Sequence, residues 1–148
     1  MYPIVELLTG AVFVILLASQ WGGAYDFQWE SVFWLAISAG LVALMVSDFL
    51  YFILPDTIII FMAVLSGLFL AFVRPDSIVN ALISAFIYCG FFVIIYLVSN
   101  GRWMGLGDVK FAFVIGLLFG FPLGFLVLAS AIWSAAILGV ALMGFKKA

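Results

Sequence analysis

The chain has 148 residues, of which five are Lys or Arg, seven are Asp or Glu, none is His, and 69% are hydrophobic. So little charge excludes a soluble surface of ordinary make-up, and so much apolar content excludes disorder. A net charge of −2 with five scattered cations makes no phosphate-neutralising patch, which excludes nucleic acid as a partner and leaves a polytopic membrane protein.

Apolar runs long enough to span lipid must be helical, because only a helix satisfies its own backbone hydrogen bonds there. The first run covers residues 4–20. An acid, Glu6, stands where a signal peptide would carry its basic region, so the run reads as a retained membrane helix. An acidic loop with Asp26 and Glu30 follows, then a second run from Ser31 to Leu54 interrupted only by Asp48. Pro55 and Asp56 break it. The third run is Thr57 to Val73, ended by Arg74-Pro75-Asp76, and the fourth is Ile78 to Val98. Ser99 to Asp108 is a polar, Gly-rich loop. The fifth run, Val109 to Gly120, is short, and Pro122 suits the first turn of a sixth that reaches Gly144. The expected fold is all-α, a single membrane domain over 1–148 with six transmembrane helices, the fifth short. Gly116, Gly120 and Gly124 offer a small-residue face for packing inside it.

An even number of spans puts both termini on one side. Arg102, Lys110, Lys146 and Lys147 fall on that side and only Arg74 on the other, so the termini are expected in the cytoplasm. Without His, Ser-His and Cys-His catalysis and almost every zinc or haem site are excluded. The lone cysteine, Cys89, makes no intrachain disulfide and reads as a small buried hydrophobe. No metal and no cofactor is expected. Chemistry then rests on carboxylates, Lys, Ser, Thr or Tyr, and in so apolar a chain each carboxylate is a suspect.

Asp26, Glu30 and Asp76 read as solvated loop charges on the outer side, whereas Glu6, Asp48, Asp56 and Asp108 fall toward the cytoplasmic side. Asp48 lies 17 residues after Ser31, about 26 Å along a helix, so it sits just inside the edge of a hydrocarbon core about 30 Å thick. A carboxylate at that depth faces a cavity or a partner. Asp108 closes Gly105-Leu106-Gly107-Asp108 at the start of the fifth helix. Plain N-capping explains it alone. The two glycines also let the backbone go extended or to positive φ and let another chain come close. Residues 108–121 cover only about 21 Å, so the helix start should dip below the membrane surface to the depth of Asp48. Two aspartates at one depth on different helices have the form of a dyad that shares a proton.

At these residues the sequence resembles the type IV prepilin peptidase family, membrane aspartyl proteases of the GxGD class. The matching segments are Asp48 through Pro55-Asp56, and Gly105-Leu106-Gly107-Asp108-Val109-Lys110, with an opening Tyr2 to Gly10 that is also similar. The resemblance implies catalytic Asp48 and Asp108. It implies type IV prepilin or secretion-system pseudopilin substrates, cut at the cytoplasmic face of the inner membrane. Gly105 and Gly107 would shape the backbone that admits an extended substrate. Glu6, Asp56 and Lys110 are supporting candidates, equally readable as interfacial charges. Many bacterial relatives carry a CxxC-bearing segment and also methylate the product; with one cysteine here, methyltransferase activity is not expected. Arg102-Trp103 and the apolar stretch Phe49 to Leu54 depart from the more polar residues of relatives. Two other readings stay open: an inactive scaffold that binds pilin-like helices, and a small proton or ion pathway, which would spread its acids through the membrane depth. Membrane lipid is the other expected partner, and the sequence leaves the oligomeric state open.

Overall fold

A computed structural model describes residues 10–11, 13–15 and 29–145, with side chains described at 10–11, 13–15, 30–134 and 137. Every regular element among these residues is helical. The helical residues 10–11 and 13–15 belong to the first apolar run, α1. Then follow α2 (Trp29–Tyr51), α3 (Asp56–Phe72), a 3₁₀ turn (Pro75–Ser77), α4 (Ile78–Ser99), α5 (Leu106–Phe119) and α6 (Leu123–Phe145). Two helical stretches, Glu30–Tyr51 and Pro75–Ser99, are long and apolar enough to cross a bilayer. Asp56–Phe72 and Leu123–Ser134, the stretch of α6 whose side chains are continuously described, are apolar but shorter. Glu6, Asp26, Lys146 and Lys147 lie outside the described residues.

The chain forms two compact units, Met1–Phe69 and Leu70–Ala148, with the boundary inside α3. In the first, α2 and α3 form a hairpin. Phe33 stacks on Phe69, ring centroids 3.9 Å apart, and Gly40 leaves room for the Met62 side chain. Ile37, Leu44, Ile59 and Met62 are buried there. Helix α2 stops at Phe52, whose φ of 52° is left-handed and whose N–H closes the last turn on the Asp48 carbonyl at 2.8 Å. The Ser47 hydroxyl donates to the Ile53 carbonyl at 3.0 Å, pinning the chain as it leaves the helix. Thus α2 ends three residues before Leu54, earlier than its hydropathy suggests.

In the second unit α5 packs along α4. The contact face of α4 is built of Ala81, Ser84, Ala85 and Tyr88, all buried, while Ile83, Phe86, Ile87, Phe91 and Ile94 are exposed. Gly116 of α5 lies on the backbone of Ala85, so close that any Cβ there would collide with it. Phe86 and Phe113 meet edge to face, centroids 5.5 Å apart. Gly124 of α6 faces the Tyr88 ring. The small-residue face of Gly116 and Gly124 therefore serves packing inside the unit. Pro122 precedes the first turn of α6 rather than lying in it.

Candidate active site

In the first unit Asp48 and Asp56 sit at one end of the α2–α3 hairpin, while Glu30 lies in the first turn of α2 at the other. Residue pairs Phe33–Phe69 and Gly40–Met62 fix the antiparallel register. Eight residues on from Gly40, Asp48 comes level with position 54, eight residues before Met62 and just outside the start of α3. Asp48 is therefore in the last turn of α2, at the open rim of the hairpin, and its side chain is exposed. Asp56 begins α3 at the same end and is exposed as well. Pro55 starts that helix by accepting the Ile58 and Ile59 N–H groups.

The second unit carries the glycine motif. Helix α4 ends in a left-handed residue, Asn100, with φ 50°, and Gly101 continues at φ 71°. The Gly101 N–H closes back on the Tyr96 carbonyl at 3.0 Å. A Cβ on Gly101 would also press on the Tyr96 ring, so glycine is required there twice over. The exposed Arg102 and Trp103 then lead to Gly105.

Gly105 caps α5 in an extended conformation, φ −82° and ψ 160°. Its N–H donates to Asp108 Oδ2 at 3.2 Å. Asp108 is thus not the N-cap residue expected from its place after the glycines. It is the third residue of the helix, reaching back to the cap, and it is half-buried. An anion in a helix's first turn is favoured by the backbone dipoles. Gly107 lies inside the first turn of α5, with Lys110 exposed one residue beyond Val109. Neither motif glycine adopts positive φ. What Gly105 supplies is room: a Cβ added there meets nothing nearer than its own loop, at 3.8 Å.

The register of α4 against α5 sets the height of Asp108. Asp108 is eight residues before Gly116, and eight residues after Ala85 is Val93. Asp108 is then level with Val93, six residues short of the α4 end at Ser99, or about 9 Å. The start of α5 therefore lies beside the interior of α4 rather than level with its end.

The profile of the type IV leader peptidase family matches residues 35–140. The chain belongs to that family. Neither a curated protein nor a solved structure matches it. Membership implies a leader-peptidase-type protease, and with two helices long and apolar enough to span it marks a membrane protein. The family match encloses both aspartate segments, 48–56 and 104–110, and leaves Glu6 outside. Among the described residues no cluster of His, Cys, Asp and Glu could hold a metal ion. The residue that composition gave least reason to single out is Asn80, an amide in an apolar run. Its one visible signal was that isolation.

Proposed function

We propose that this leader peptidase is an aspartyl endopeptidase that removes the leader of type IV prepilins or secretion-system pseudopilins. It acts at the cytoplasmic face of the inner membrane, in a six-span arrangement with both termini in the cytoplasm. Asp48 and Asp108 form the dyad. One ionised carboxylate takes a proton from water as the water oxygen attacks the scissile carbonyl. The other carboxyl gives its proton to the carbonyl oxygen. The tetrahedral diol then collapses: one hydroxyl returns its proton to a carboxylate, the C–N bond breaks, and the leaving nitrogen takes a proton from the dyad. The dyad ends with the one proton it began with. Gly105 leaves the space beside Asp108 in which an extended substrate backbone can lie, and Asp56 and Lys110 are supporting charges around the two acids.

The observation that carries this reading is the family match over 35–140, which takes in both aspartate motifs in order. The test is cleavage of a prepilin by the purified protein in detergent, beside Asp48→Asn and Asp108→Asn. The expected result is cut pilin with the native chain and none with either variant. Binding of the pilin without cleavage by the native chain would favour a scaffold instead.

A further inference from the structure

Helix α5 is held at its far end chiefly by one side chain, Asn80. Gly120 ends the helix at φ 59°, and Pro122, which has no N–H, follows two residues later. Backbone that leaves helical geometry near lipid must find its partners elsewhere in the protein. Here Asn80, in the first turn of α4, supplies them. Its Nδ2 donates to the Phe121 carbonyl at 2.9 Å, and its Oδ1 accepts the Phe121 N–H at 3.2 Å. The amide thereby pairs with both polar groups of one residue 41 positions away in sequence. The amide is itself held: the Ser84 hydroxyl lies 3.3 Å from its Oδ1 while donating to the Asn80 carbonyl at 2.7 Å. Tyr88 adds a hydroxyl contact to the Gly120 carbonyl at 3.4 Å.

This clamp bears on the height of α5. Sliding a helix by one turn moves every group on it by about 5.4 Å. Elsewhere α4 and α5 meet by shape, as at Gly116 on Ala85 and Phe86 on Phe113, whereas the Asn80 pairing fixes its partner through two directional hydrogen bonds. From Phe121 to Asp108 is 13 residues, about 20 Å of nearly continuous helix, stiff enough to carry a displacement along its axis.

We infer that Asn80 is a positioning residue: by clamping Phe121 it sets the height at which Asp108 is presented. The inference rests on the reading of Asp108 as catalytic, and it deepens that reading by naming what holds the carboxylate in place. A misplacement of about 1 Å at a catalytic group costs up to a hundredfold in rate.

The experiment compares Asn80→Ala, Asn80→Asp and Val114→Ala in membranes. Val114 is fully buried in α5, so shortening it loosens the packing and leaves the clamp intact. Two readouts are taken. One is kcat and KM on a prepilin. The other is the rate at which a membrane-impermeant maleimide labels a cysteine placed at Leu106, in a Cys89→Ser background, and it needs no activity. Asn80→Ala should change the labelling rate several-fold and lower kcat about 10- to 100-fold with KM nearly unchanged. Asn80→Asp keeps the acceptor for the Phe121 N–H but loses the donor, and should fall between. Val114→Ala should lower thermal stability and leave the labelling rate as in the native chain. Should Asn80→Ala not fold, Asn80→Asp carries the same two readouts. An unchanged labelling rate in the Asn80 variants overturns the proposal. So does a changed rate with native kcat, or an equal fall of kcat in Val114→Ala. A native chain that cuts no prepilin would defeat the peptidase reading, while the labelling rates would still decide whether Asn80 sets the height of α5.

Discussion

Asp48 and Asp108 sit at opposite ends of their helices, Asp48 in the last turn of α2 and Asp108 in the first turn of α5. Asn can replace either with little change in shape. At position 108 its amide oxygen can still accept the Gly105 N–H. Each Asp→Asn variant should therefore keep the native melting temperature and lose cleavage by a factor of about 10² to 10⁴, the worth of a general acid or base. A variant that unfolds earlier than the native chain would show a structural rather than a chemical role. Gly105 invites a second separation. Its φ suits any residue and a Cβ makes only ordinary contacts, 3.8 Å from Gly107 N and 3.9 Å from Asp108 Oδ2, so Gly105→Ala should fold normally while kcat/KM on a prepilin drops. Equal kcat/KM for the two chains would mean that no substrate backbone passes there. At this scale the sequence showed which acids to suspect, because Asp48 interrupts an apolar run and Asp108 ends a glycine pair. It did not show how Asp108 is held. Gly-Leu-Gly reads as loop on propensity, yet Leu106 and Gly107 are already helical, so the aspartate moves from the cap to the third position.

At the scale of elements, the glycines divide by what lies opposite them. Gly116 meets the Ala85 and Ser84 backbone, which cannot turn aside, whereas Gly90 in α4 has nothing within 4 Å. Gly116→Ala should destabilise the second unit by about 1–3 kcal/mol, the usual cost of overpacking. Gly90→Ala should instead stabilise it by about 0.5–1 kcal/mol through helix propensity. Unfolding of both variants in one detergent would show whether the signs differ. The helices themselves were readable from hydropathy to within a few residues, since prolines and charges bracket them. Their ends were less so. Phe49 to Leu54 is apolar throughout, so nothing in its hydropathy marks the left-handed turn at Phe52 that stops α2. Asn80 was missed for a related reason: its partner is the backbone of Phe121, which no side-chain pattern betrays.

For the whole molecule, the proposed topology places Arg102 and Lys147 on the cytoplasmic side and Asp26 outside. Cysteines introduced beside Arg102 and Lys147 should react only with reagent supplied from the cytoplasm, and one beside Asp26 only with reagent from the other side. The reverse pattern would put the acids on the wrong face for a leader. A dyad that works with one shared proton also requires that activity fall on both sides of an optimum pH. A rate that keeps rising with pH would point to a single base. Hydropathy suggests six spans from six apolar runs, and among the described residues two stretches are long and apolar enough to cross.

The contact face of α4 reverses the usual arrangement of a soluble core: alanines and serines lie within, and the large aliphatic and aromatic side chains point outward. Separating such helices inside lipid or detergent moves apolar surface from one oily environment to another, with little water involved. The heat capacity of unfolding, which in soluble domains is about 12–15 cal/mol/K per residue and comes from hydrating apolar surface, should then be close to zero. Calorimetry in detergent should accordingly give an unfolding enthalpy that hardly changes with the transition temperature, and a protein whose stability keeps rising as it is cooled.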